Sequence, residues 1–130
     1  MAMAVEVGLG ARVEMVVTEA DTAQAVGSGD VPVLATPRLL ALAEAATVRA
    51  TAGRLPAGST TVGTRVELEH LAASGSGATV VAEAELTTVD GRRLAFAVTA
   101  TDGDRVVARG RVERAIVDRA RFMAGVGVAP

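Results

Sequence analysis

The chain has 130 residues, half of them apolar, which is enough for one domain with a buried core. All thirteen basic residues are arginine, and the net charge of −2 excludes the strong positive field typical of nucleic-acid-binding proteins. The absence of cysteine excludes disulfides and thiolate metal sites, and no apolar run is long enough to span a membrane.

The core is predicted to consist of small side chains. The only aromatic residues are Phe96 and Phe122. Because alanine and valine bury little area each, a second subunit covering one face would add stability. We expect one domain over residues 1–130, with roughly the first ten and the last eight residues at its periphery.

The amino-terminal part of the chain predicts one strand and one helix. Residues 11–18 place apolar side chains at alternate positions, which is typical of a half-buried strand. A loop rich in glycine and proline, residues 27–32, follows. The apolar run 39–48 predicts a helix, with Thr36 as its N-cap and Pro37 at its first helical position.

The rest of the chain predicts four antiparallel strands. Apolar and polar residues alternate along residues 60–71, 79–88, 92–101 and 105–117. Asp-Gly pairs lie between the last three of these segments and favour tight turns. A helix that is apolar on nearly every side must be enclosed. This order predicts an α+β chain of the hotdog fold, an antiparallel sheet wrapped around one long central helix, with an ordinary α+β sandwich as the alternative.

Glu44 is the only charged residue in the apolar run of the predicted helix. A buried carboxylate must be paired, hydrogen-bonded or protonated, and such a group suits the work of a general base or a nucleophile. The alternative interpretation places Glu44 on a narrow stripe of the helix that faces solvent.

His70 is the only histidine of the chain. Strand alternation places it on the apolar face of its predicted strand, together with Val62, Thr64, Val66 and Leu68. Histidine changes its charge near neutral pH, so it can shuttle a proton or polarise a substrate. A histidine satisfied within the core is the alternative, and the sequence does not decide between the two.

Arg114 lies on the apolar face of the last predicted strand, beside Val112 and Ile116. An arginine in that position predicts an anionic partner, either a carboxylate inside the fold or a phosphate at the edge of a cleft. A β-bulge near Gly110 would reverse this assignment. We expect the other arginines of this region to form a solvated face.

Other kinds of site find no support in the sequence. It has no glycine-rich phosphate loop and no nucleophile elbow. With one histidine and no cysteine, a metal site is not expected, and no cofactor is predicted. The first thirty residues carry five acids, Glu6, Glu14, Glu19 and Asp21 among them, and do not resemble a signal peptide, which favours a cytoplasmic location.

Several segments together resemble the fluoroacetyl-CoA thioesterases. They are Val33–Thr36 before the helix that carries Glu44 and Val48–Ala50, Val62–Thr64 before His70, Val89–Leu94, and Gly110–Ala115. The resemblance extends from about residue 11 to residue 122, and its order and spacing are more specific than any single motif.

The resemblance implies which residues form the site. It implies that Thr36, Glu44 and His70 are catalytic, that Gly63 lies near the thioester carbonyl, and that Arg114 lies near the ligand. The implied activity is hydrolysis of a small acyl-CoA by a homodimer, with further pairing into tetramers left open. Whether Glu44 acts as nucleophile or as general base is also left open, as is the simpler role of Thr36 as a helix cap.

Two features limit what the resemblance implies. Residues 27–32 lack the aromatic lid residues that the fluoroacetyl-specific members share, so the acyl group is not defined. Thr36 and Glu44 are separated by eight residues, about 12 Å along a helix, so a loop or a partner subunit would have to complete the site. A hotdog protein that binds acyl-CoA without hydrolysis is the alternative function. A hydratase or dehydratase is a third, but its usual pairing of a histidine and an acid on one segment is not found.

Overall fold

A computed structural model describes residues 5–127. The elements are β1 (Gly10–Val16), a one-turn 3-10 helix (Glu19–Asp21), α1 (Ala23–Val26), α2 (Thr36–Ala50), β2 (Ser59–His70), β3 (Thr79–Asp90), β4 (Arg93–Asp102), β5 (Arg105–Asp118) and α3 (Arg119–Val126). Each predicted strand is confirmed to within two residues at either end, whereas α3 was not predicted.

The five strands form one antiparallel sheet in the order β1-β3-β4-β5-β2. The long helix α2 packs across this sheet, mainly against β1 and β3. The predicted architecture, an antiparallel sheet around one long helix, is therefore confirmed. No helix within residues 5–127 is long and apolar enough to cross a membrane.

The two predicted Asp-Gly turns join β3 to β4 and β4 to β5. Gly91 and Gly103 have φ angles of 59° and 61°, in the left-handed region that glycine adopts without steric cost. The flanking residues pair directly, Asp90 with Arg93 and Asp102 with Arg105. These turns set the register of the three central strands.

The core lies between α2 and the sheet. Alanines on the buried side of α2 allow the helix to lie close to the strands, and the largest fully buried side chain is Phe96 on β4. Phe122, the other aromatic residue, is 41% exposed on α3. The interior is thus made of small aliphatic groups arranged around a single aromatic ring.

The start of α2 differs from its prediction by one residue. Ala35 is the N-cap and Thr36 is the first helical residue, so the prediction of Thr36 as N-cap was wrong. The Thr36 hydroxyl contacts His70 instead of the helix backbone. The segment before the helix is held by a hydrogen bond from the Ala35 N–H to the carbonyl of Asp21.

A β-bulge at Thr64 changes the faces of β2. The pairing with β5 shifts between Gly63 and Arg65, so the strand contains one residue more than strict alternation allows. Val66, Leu68 and His70 keep the predicted inner face. The assignment of Val62 and Thr64 to that face was wrong, because the extra residue places Gly63 there, opposite Arg114.

Alternation holds over the carboxyl-terminal half of β5. Gly110 pairs regularly with Leu68 and Val98, so no bulge reverses the faces at that position. The shift in the β4–β5 pairing lies further toward the start of β5, between Ala100 and Thr101 of β4. Arg114 is therefore on the inner face, as predicted, and is only 8% exposed.

The contact between Asp21 and Arg38 ties the 3-10 helix to α2. The Asp21 carboxylate accepts the backbone N–H of Thr18 at 2.8 Å, the Thr18 hydroxyl at 3.0 Å and Arg38 Nε at 2.9 Å. The hydrogen bond from the Thr18 backbone, followed by that from Arg38, holds the pKa of Asp21 below its usual value. A lowered pKa stabilises the fold above the unfolded-state pKa, and this contribution is lost as the pH falls through the folded-state pKa.

We expect Asp21→Asn to lower the free energy of unfolding by about 1 kcal/mol at pH 7, because one partner of these hydrogen bonds loses its charge. The difference from wild type should shrink below about pH 4. Denaturant unfolding of wild type and Asp21→Asn at pH 7 and pH 3 measures the difference in unfolding free energy at each pH. Asp30→Asn on the exposed loop is the control. A difference that stays constant between the two pH values would contradict this account.

Candidate active site

Thr36 and His70 meet where the start of α2 faces the end of β2. The Thr36 hydroxyl oxygen lies 2.8 Å from His70 Nδ1. His70 Nε2 is buried and has no hydrogen-bond partner within residues 5–127. Because buried polar atoms in proteins are nearly always paired, an unpaired ring nitrogen points to a group that binds there. The interpretation of His70 as a fully satisfied core histidine is therefore not supported.

Glu44 and Arg114 form an ion pair between α2 and β5. Arg114 Nη1 donates to Glu44 Oε2 at 3.0 Å. Thr61 holds the same guanidinium, with its hydroxyl 2.9 Å from Nε and its carbonyl oxygen 3.1 Å from Nη2. The Glu44 side chain is 32% exposed and that of Arg114 is 8% exposed. Arg114 thus fixes one carboxylate oxygen, while Oε1 accepts no hydrogen bond from the described residues.

This arrangement answers two questions that the sequence left open. The anionic partner of Arg114 is a carboxylate inside the fold, and Glu44 faces that arginine instead of a wholly solvated stripe. Thr61, which fixes the guanidinium, was not singled out from the sequence. Its only signal is the two-residue spacing from Gly63, which places both on one strand face.

Gly63 lies directly beside the Glu44 carboxylate. A Cβ atom at this position would be 2.5 Å from Glu44 Oε2 and 3.4 Å from Arg114 Nη1. The absence of a side chain allows the backbone of β2 to approach the ion pair closely. Gly63 therefore leaves the space that the carboxylate occupies.

Within one chain the candidate residues form two separate groups. Thr36 lies with His70, and Glu44 lies with Gly63 and Arg114. Along α2 the groups are about 12 Å apart, and along β2 the seven residues from Gly63 to His70 span roughly 23 Å. A single chain does not unite the three proposed catalytic side chains.

The first group lines a cleft of its own. A shallow cleft of about 320 Å³ lies at Thr36 and His70, bordered by Val33 and Leu71. Of the second group, only Arg114 lines a separate cavity of about 370 Å³, together with Leu94. Among residues 5–127, no three histidine or carboxylate side chains converge as a metal site.

Comparison with known proteins gives a consistent result. The model of a family described as fluoroacetyl-CoA-specific thioesterase matches residues 17–120. The fluoroacetyl-CoA thioesterase of Streptantibioticus cattleyicolor is 42% identical over 94 residues, which cover 72% of this chain and 68% of that protein.

Solved structures agree with this match. The phenylalanine-to-alanine mutant of the fluoroacetyl-CoA-specific thioesterase FlK superposes with a TM-score of 0.88 at 35% identity, covering 95% of this chain and 96% of the other. A thioesterase-superfamily protein from Thermus thermophilus has a TM-score of 0.89 at 28% identity, covering 95% and 92%. The predicted hotdog fold is confirmed by these similarities.

We expect Gly63→Ala to lower the free energy of unfolding by about 1–2 kcal/mol, because the new methyl group would displace the Glu44 carboxylate from Arg114. In a Glu44→Ala background the same change should leave the free energy of unfolding nearly unchanged, since the carboxylate that it would displace is absent. Denaturant unfolding of the four proteins gives the coupling. Gly75→Ala is the control, because a Cβ there meets no atom within 4 Å. An equal loss of unfolding free energy in both backgrounds would contradict the close approach of Gly63 to the Glu44 carboxylate.

Proposed function

The chain belongs to the fluoroacetyl-CoA-specific thioesterase family, and we propose that it hydrolyses a small acyl-CoA thioester at sites shared between two subunits. One observation carries the proposal. His70 is oriented by Thr36 at 2.8 Å and keeps a buried, unpaired Nε2, while Glu44 is held by Arg114 with one oxygen free. These are the groups that acyl transfer requires, an activated oxygen and a positioned proton donor.

The reaction adds water across the thioester and yields a carboxylic acid and a free thiol. In one route the free oxygen of Glu44 removes a proton from the attacking water. In the other it attacks the carbonyl carbon, which expels the thiolate and leaves a mixed anhydride that water then hydrolyses. Both routes fit the same position. Arg114 acts as a positioning residue, because its guanidinium fixes the other carboxylate oxygen. The family resemblance also implies that Arg114 contacts the substrate, and we retain this contact as part of the proposal.

His70 and Thr36 serve the leaving group in this proposal. The hydrogen bond to Thr36 fixes the imidazole ring and leaves Nε2 to polarise the thioester or to protonate the departing thiolate. A backbone N–H at Gly63 would stabilise the oxyanion that forms on the carbonyl oxygen. Thr36 can in addition orient the attacking group.

A homodimer would bring the two groups of residues together. Within the described residues, β2 pairs only with β5, so its other edge is free over twelve residues. Unpaired edges of this length favour pairing with another strand. If two β2 strands pair antiparallel about a two-fold axis between Val66 and Glu67, His70 of one chain faces the partner's Gly63. The shared site then contains Thr36 and His70 from one chain and the partner's Glu44.

The exposed side of α2 supports the same assembly. Ala41, Ala45 and Val48 face outward there, and Val48 is 49% exposed. A partner covering this side would complete the enclosure of the helix that its apolar sequence predicts. Further pairing into tetramers and a cytoplasmic location stay predictions.

The acyl group is proposed to be small. The FlK structures include a threonine-to-serine mutant in complex with acetyl-CoA and a phenylalanine-to-alanine mutant in complex with fluoroacetate and CoA. Residues 27–32 of this chain contain no aromatic side chain that could select among short acyl groups. We therefore propose a short-chain acyl-CoA and not fluoroacetyl-CoA in particular.

We expect the protein to release thiol from short acyl-CoAs, and both Glu44→Gln and His70→Ala to reduce kcat by about a hundredfold or more. A panel from acetyl-CoA and fluoroacetyl-CoA to long-chain acyl-CoA is followed with a thiol reagent, which reads only product because the chain has no cysteine. Glu85→Gln on the exposed face of β3 is the control. Thiol release that survives in Glu44→Gln removes the proposed role of Glu44. Binding of CoA without any thiol release by wild type favours the non-hydrolytic alternative.

We expect light scattering to show a dimer and mixed dimers to recover activity. When Glu44→Gln and His70→Ala chains are unfolded together and refolded at equal concentrations, half of the dimers are mixed and each has one intact shared site. About a quarter of wild-type activity should return. Each variant refolded alone is the control. A stable monomer, or a mixture as inactive as its components, would contradict the shared site.

A further inference from the structure

The first turn of α2 carries Thr36 but has no cap from a side chain of its own. The N-cap residue is Ala35, which makes no side-chain hydrogen bond, and the Thr36 hydroxyl contacts His70. The first N–H groups of a helix need acceptors, and a threonine hydroxyl is a favoured one. Whether the Thr36 hydroxyl faces His70 or the helix backbone therefore depends on what else holds this turn.

Asp21 contacts the first turn of α2 on both sides of Thr36. Its backbone carbonyl accepts the N–H of Ala35, the residue before Thr36, at 2.9 Å. Its carboxylate accepts Arg38 Nε, two residues after Thr36, also at 2.9 Å. The Asp21 side chain is only 14% exposed, so this ion pair is better shielded from water than a pair on the open surface.

The Asp21 carboxylate is itself held in place by Thr18. It accepts the Thr18 backbone N–H at 2.8 Å and the Thr18 hydroxyl at 3.0 Å, both on the oxygen that does not face Arg38. Hydrogen bonds to a charged group are stronger than those between neutral groups. One oxygen is thus fixed by Thr18, and the other meets Arg38 at a defined position.

The segment before Thr36 is also tied to the segment that follows His70. The Leu34 N–H donates to the carbonyl of Ser74 at 2.8 Å. This backbone contact sets how close the two segments lie. It does not set the direction of the Thr36 hydroxyl, which depends on the helical turn that Asp21 holds.

We propose that Asp21 is a positioning residue of the candidate site, which holds the first turn of α2 so that the Thr36 hydroxyl orients His70 instead of capping the helix. The proposal rests on the proposed function, in which Thr36 fixes the imidazole ring. Without the Asp21 side chain, the Thr36 hydroxyl can turn to the N–H groups of its own helix. His70 Nδ1 then loses its partner, and Nε2 is no longer fixed relative to the thioester.

The first test is a cycle of variants assayed with acetyl-CoA. Asp21→Ala should lower kcat about tenfold and leave KM within about twofold of wild type, because a misdirected His70 affects the chemical step more than substrate binding. In a Thr36→Ala background the same change should leave kcat nearly unchanged, since the residue through which Asp21 acts is absent. The control is Asp118→Ala, which removes an aspartate that likewise accepts a backbone N–H, at the start of α3.

The second test does not require activity. Because His70 is the only histidine of the chain, its imidazole ring gives one set of resonances in the NMR spectrum. Asp21→Ala, and Arg38→Met from the other side of the same ion pair, should each move the ring nitrogen resonances toward those of Thr36→Ala. Asp118→Ala at the same pH should keep the wild-type resonances.

Three outcomes would overturn the proposal. An unchanged kcat in Asp21→Ala, or an equal loss in the wild-type and Thr36→Ala backgrounds, means that Asp21 does not act through Thr36. A tenfold loss in Asp118→Ala as well means that the effect is a general one on the fold. Wild-type His70 resonances in both Asp21→Ala and Arg38→Met mean that the ion pair does not orient the ring.

Failure of the proposed function is distinguishable from failure of this proposal. If wild type hydrolyses no acyl-CoA, the proposed function is wrong, while the His70 resonances still decide whether Asp21 positions the ring. Resonances that move in Asp21→Ala and Arg38→Met but not in Asp118→Ala support the positioning role in that case too.

Discussion

The ion pair between Glu44 and Arg114 joins the central helix to the far half of the sheet. α2 packs through apolar side chains mainly on β1 and β3, whereas the described hydrogen bond from its middle to β5 is made by this pair. A buried guanidinium needs acceptors for its donors, and Thr61 supplies two of them beside the one from Glu44. The helix is thereby held over the sheet with a carboxylate at a fixed position.

The separation of Thr36 and His70 from Glu44 follows from the regular geometry of the elements that carry them. A helix and a strand keep residues seven or eight positions apart at distances no side chain can span. Pairing through the free edge of β2 would bring the two groups together, because a two-fold axis places one end of the strand beside the opposite end of the partner's strand. Assembly and catalysis would then depend on the same strand, and the small-residue core would gain the cover that one chain does not provide.

Charge is distributed over the molecule according to what its arginines contact. Arg114 is buried and engaged within the fold, Arg38 and Arg65 pair with neighbouring carboxylates, and Arg92 and Arg121 border a groove without a paired acid among the described residues. A net charge of −2 conceals this local excess. The other arginines of residues 105–121 are all exposed, in agreement with the expectation of a solvated arginine face.

The sequence by itself determined the elements and the unusual residues. Alternation and the two Asp-Gly turns defined the strands, and polar residues at apolar positions identified Glu44, His70 and Arg114. It did not predict the bulge at Thr64, because a period of two cannot reveal one inserted residue until the partner strand fixes the register. The contact of Thr36 with His70, across 34 residues, and the place of Gly63 beneath Glu44 were likewise decided by tertiary structure, since local patterns assign faces while only packing decides which faces meet.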